Sequence, residues 1–61
     1  MTMTDKVHED ILAIRASGRC NMLSIHEVFQ IAMEQDMLDL AEYLFYETRN
    51  YSKFILTGER D

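Results

Sequence analysis

Apolar residues recur along this 61-residue chain mostly at intervals of three and four, the spacing by which a helix gathers one face for burial. The first such stripe is Val7, Ile11 and Ile14. Thr4 stands where an N-cap belongs, and Gly18 suits the left-handed turn after a C-terminus. A second stripe, Ile25, Val28, Phe29 and Ala32, is the clearest of all. A third follows Asp36, which is placed to cap it; Met37, Leu40, Ala41, Leu44 and Phe45 make a broad inward face with Leu38 at its margin. The final segment, YSKFILTGE, is less decided. Tyr51, Phe54 and Ile55 fit a helical turn, residues 54 to 57 have strand-like composition, and Gly58 favours a short helix that ends there. The pattern predicts one all-α domain over residues 1 to 61, a three- to four-helix bundle with helices over about 5–17, 25–35, 37–48 and 50–56.

Between the first two stripes lies SGRCNMLSIHEVF, where the one cysteine, Cys20, stands six residues before His26, one of only two histidines. Ser24-Ile25-His26-Glu27 has capping-box spacing: the serine oxygen would accept from the Glu27 amide, and the carboxylate would reach back to the serine amide. Leu23 and Val28 take the staple positions, and Asn21 suits a turn. Read this way, the stretch is a helix junction, and losing Ser24 as a cap should cost about 1 kcal/mol. A nucleophilic cysteine needs a lowered pKa and a base within reach, and residue types alone supply neither. No i, i+4 pair exists among the histidines and cysteine, so no metal site is expected. Asp39 and Glu42 share an exposed helix face and do not converge across a cleft. No catalytic residue and no cofactor is expected.

Length and charge narrow the reading. A chain this short buries a marginal core, and one cysteine cannot form an internal disulfide, which leaves self-association as the remaining supplement. Leu12 and Ile31 project off the main stripes and are the expected homodimer contacts. The net charge of -5 is unevenly spread. From residue 20 to 48 there are six acids, Glu27, Glu34, Asp36, Asp39, Glu42 and Glu47, and no lysine or arginine. A helix-turn-helix reader of DNA would lack phosphate contacts there, so no direct nucleic-acid binding is expected. Neither a signal pattern nor an apolar run of about 18 residues is present, which predicts a cytoplasmic protein without membrane insertion. At about 100° per residue, Tyr43 and Tyr46 fall on the acid-bearing side of the third helix with Asp39 and Glu42. These four form the expected partner-binding surface, because tyrosine buries much area at little entropic cost.

The stretches ILAIRASGRCNML, residues 11 to 23, and YSKFILTGE, residues 51 to 59, resemble a family of very short phage and prophage proteins of unknown function, in which an ILAIR-x-x-G-x-x-NM opening and a final FILTG recur. The resemblance implies a mobile-element accessory protein in a bacterial host, and it implies no activity. Small phage proteins without catalytic equipment often bind and block host factors, defence components among them, so the expected function is modulation or inhibition of a host protein. The alternative is a structural or regulatory dimer that assists phage DNA transactions through a protein partner.

Overall fold

A computed structural model describes residues 2–60, and among these it forms four helices and no strand: α1 (Asp5–Ser17), α2 (Ile25–Glu34), α3 (Leu38–Tyr46) and α4 (Thr48–Thr57). The all-α bundle read from the sequence is therefore the fold, with the ambiguous C-terminal segment helical and one turn longer than expected. The body measures 25 × 20 × 18 Å. At ~1.5 Å per residue α1 is about 20 Å long, so in a body of these dimensions the shorter helices stack beside one another rather than extend it.

Local chemistry sets the outer ends. Thr4 is the N-cap of α1, its hydroxyl accepting from the Val7 amide at 3.2 Å, and Gly18 closes the helix in the left-handed region at φ 65°. Gly58 does the same for α4 at φ 80°. The chain then turns back, so that Arg60 donates to the Met3 carbonyl at 2.9 Å and to Asp5 at 3.2 Å, tying the two ends of the molecule together.

The inner junctions differ from expectation. Ser24 is the N-cap of α2 by backbone geometry, but its hydroxyl makes no capping bond. The reciprocal half of the box is displaced by the turn upstream. The Ser24 amide already donates to the Asn21 carbonyl at 2.9 Å, and the Leu23 amide donates to the Asn21 side chain at 2.9 Å, so the turn meets the donor that Glu27 would have served. Asp36 does not cap α3 either. It sits at φ 58°, with its amide bonded to the Met33 carbonyl at 3.3 Å and the Met37 amide to the Ala32 carbonyl at 2.7 Å. That pair of bonds is a Schellman closure, so Asp36 ends α2 where glycine is usual, and Met37 precedes α3 without a side-chain cap. Glu47 serves both as the last cap of α3 and the first of α4, which leaves a single non-helical residue between them.

Helices α1, α2 and α4 all pack on α3, and α1 also packs on α2. Val28, Leu40, Leu44, Ile11, Ala32, Tyr43 and Tyr51 are among the core residues with almost no exposure. Full burial of each Leu, Ile or Val contributes roughly 1.5–3 kcal/mol, so these positions dominate stability.

The two caps separate in a simple stability comparison. Thr4→Ala, which removes a made bond, should lower stability by about 1 kcal/mol, whereas Ser24→Ala, which removes none, should cost no more than a few tenths. Thermal midpoints measured side by side decide it: on this size scale ~1 kcal/mol moves the midpoint by about 4–8 °C, and equal losses in both variants would contradict the geometry of the second junction.

Candidate docking surfaces

The Cys20–His26 question has a geometric answer. Cys20 is half-buried against the core, and its thiol is pushed up, first by burial and then by the Glu27 charge, with Arg19 opposing. A cysteine in that setting holds its proton, the opposite of what a nucleophile or thiolate ligand requires. His26 is exposed on the first turn of α2. Among the described residues no three His, Cys, Asp or Glu side chains gather as metal ligands.

Beneath Cys20 lies the residue that organises this end of the molecule. Tyr51 is fully buried and donates its hydroxyl to the Met22 carbonyl at 2.6 Å, bridging α4 to the α1–α2 junction across 29 residues of sequence. Burial, reinforced by Cys20, pushes its ionisation up to about 12. Its role as an anchor was hidden in the sequence, where it counted only as one apolar position of a short helix.

Asp10 was hidden too. It follows Val7 by three residues and precedes Ile11, so it falls on the buried stripe of α1 and is itself buried. One carboxylate oxygen accepts from Lys6 at 2.6 Å, and the other is buried without a hydrogen-bond partner among the described residues. Lys6 is pushed up in return, chiefly by that hydrogen bond.

The expected partner surface is partly dismantled. Asp39, Glu42 and Tyr46 are exposed, but Tyr43 is fully buried and belongs to the core, while Phe45, expected inside, is 71% exposed. The cause is the crowding around α3. With three helices against it, its buried arc runs from Tyr43 through Leu40 and Leu44 to Ala41, turned by roughly half a residue, about 50°, from the arc the apolar pattern suggested. What remains outside is a stripe of Leu38, Glu42, Phe45, Tyr46 and Asp39. Phe45 and Tyr46, the latter 68% exposed, meet edge to face with ring centroids 5.0 Å apart.

The expected dimer pair separates as well. Ile31 is only 7% exposed and sits in the core, because α2 packs on both α1 and α3 and buries a wider arc than one stripe. Leu12 is 42% exposed and lines a cleft of about 470 Å³ between α1, the α1–α2 junction and the last turns of α4. Leu23 and Leu56 stand on its other walls, Ile11 and Phe54 contribute to its lining, and Arg15 is the one ionisable group lining it. The two stretches that carry the family resemblance thus meet across one cleft.

A family model described as a domain of unknown function, DUF5049, matches residues 3–59. The chain belongs to that family. No curated protein and no solved structure matches it. The DUF5049 match covers all four helices and both stretches that line the cleft, so the family's unit is the whole bundle rather than one element of it.

The settings of Tyr51 and Cys20 can each be measured in solution. Ultraviolet titration should show a tyrosine ionisation near 12 that is lost in Tyr51→Phe. Since the unfolded group ionises near 10, the stability tied to neutral Tyr51 is complete below that pH and is lost as pH rises from 10 toward 12. At neutral pH, Tyr51→Phe should cost about 1–2 kcal/mol by leaving the Met22 carbonyl without its donor. Alkylation of Cys20 should be slower in the native protein than in denaturant at the same pH, and Cys20→Ser should retain full helicity; a native rate above the denatured one would overturn the assignment of a proton-retaining thiol.

Proposed function

We propose that this DUF5049 protein is a non-enzymatic accessory of a phage or other mobile element that acts in the bacterial cytoplasm, where it binds a host protein and modulates or inhibits it. The observation that carries the proposal is the outer stripe of α3. A chain that buries Tyr43 and Tyr51 completely leaves Phe45 and Tyr46 largely in water, as a paired aromatic projection beside Asp39 and Glu42. Exposed aromatic pairs are costly for a soluble surface unless something covers them, and they supply the anchors at which binding energy concentrates. The acids beside them select a basic partner and speed its approach.

Other features of the chain agree with this reading. No helix among the described residues is long and apolar enough to cross a membrane. The anionic α2–α3 side is unsuited to phosphate contacts, so a role in phage DNA transactions would run through a protein. The exposed leucines around the cleft favour pairing of the chain with a second copy, which is also the form the alternative reading, a regulatory or structural dimer, would take.

The test is capture of a bacterial partner by wild type and by the double variant Phe45→Ala with Tyr46→Ala, followed by affinity measurement on the purified pair. Both side chains are exposed, so helicity should be unchanged, while affinity should fall by about thirtyfold or more, the loss expected of a hot spot worth ~2 kcal/mol. Asp39→Lys should slow association more than it hastens dissociation. A partner held equally well by the double variant would refute this face as the binding surface.

A further inference from the structure

Among the described residues seven large apolar side chains are exposed, and three of them, Leu12, Leu23 and Leu56, surround the α1–α4 cleft. We propose that this cleft is the seam of a symmetric homodimer in which Leu56 of each copy enters the cleft of the other. The inference rests on the self-pairing just described and assigns it a place.

Shape is the first argument. A two-fold interface uses one patch on both subunits, so that patch must carry both the projection and the recess it fills. Here they adjoin. Leu56, 70% exposed on the last turn of α4, rises beside a cleft whose lining includes the fully buried Ile11 and the half-buried Met22, Phe54 and Ile55, with Leu12 and the 51% exposed Leu23 on its walls.

Charge makes the choice among faces. A second copy carries the same net charge of -5, so like charges disfavour any seam lined with carboxylates. The outer stripe of α3 holds Asp39 and Glu42, and Met33 on α2 adjoins Glu34. The leucine cleft has no carboxylate in its walls. Its single charge, Arg15, can lay its stem along the leucines and keep its guanidinium in water.

Area is the third argument. A standard interface takes about 800 Å² from each partner, roughly a fifth of this chain's 4026 Å². Four of the eleven residues lining the cleft are buried or half-buried, so a seam of that size centres on the cleft and extends onto the exposed surface around it. The apolar area gained supplements a core that no disulfide reinforces.

Light scattering across a concentration series tests the proposal. Wild type should show twice its 7.2 kDa mass at tens of micromolar, with a thermal midpoint that rises with concentration. Leu12→Glu with Leu56→Glu should give monomer mass at the same concentrations with helicity retained, and Phe45→Glu should leave the dimer intact. Should the leucine variant lose helicity, a second measurement replaces it. Leu12→Cys and Leu56→Cys, prepared separately in the Cys20→Ser background, are mixed and treated with a short bismaleimide, and the mixed pair should cross-link well above either variant mixed with Phe45→Cys. Wild type at monomer mass throughout, a dimer dissolved by Phe45→Glu and not by the leucine changes, or cross-linking no better than the Phe45→Cys control would each overturn it. Capture of the host protein is scored separately on the monomeric leucine variant, so loss of the seam and loss of the α3 binding face are distinguishable.

Discussion

Everything in this bundle is arranged around α3, a helix of nine residues on which three others pack. A helix so short has little surface to share, so nearly half its circumference is apolar and buried, and Leu40, Ala41, Tyr43 and Leu44 supply that arc. The constraint propagates outward. With the inner arc committed to neighbours, Leu38, Phe45 and Tyr46 have no place inside, and the apolar content that a larger domain would absorb is displayed on the surface.

Two polar groups in the interior show how the remaining helices are held on that hub. Tyr51 anchors α4 to the α1–α2 junction through a satisfied hydrogen bond, the arrangement by which a buried hydroxyl contributes rather than costs. Asp10 is the contrasting case. One of its oxygens is met by Lys6 from the surface, and the other is buried with no protein partner among the described residues. The clasp of Arg60 on Met3 and Asp5 brings the residues after α4 to the start of α1.

The surface that results has two characters. On the α2–α3 side, aromatic area coincides with carboxylates; on the α1–α4 side, leucines surround a cleft whose only charge is positive. Opposite charge on two apolar faces separates what they can accept. On the proposed reading the acidic face suits a basic partner and the cleft a second copy, so a dimer formed through the cleft would leave both acidic faces free.

Much of this was legible in the sequence. Thr4, Gly18 and Gly58 placed the ends of α1 and the end of α4, because capping bonds and left-handed turns are made by residues adjacent in the chain. Apolar spacing placed all four helices to within a residue or two for the same reason. The capping box at Ser24 and the cap at Asp36 were misread even though they are local, since Asn21 and the Schellman closure satisfied those backbone groups first. The rotation of α3, which sends Tyr43 inward and Phe45 outward, and the burial of Ile31 and Asp10 were decided only by the tertiary structure. A helix's own sequence states how much apolar area it has, but which arc is covered depends on how many neighbours pack on it and from where, and those neighbours are distant in the chain.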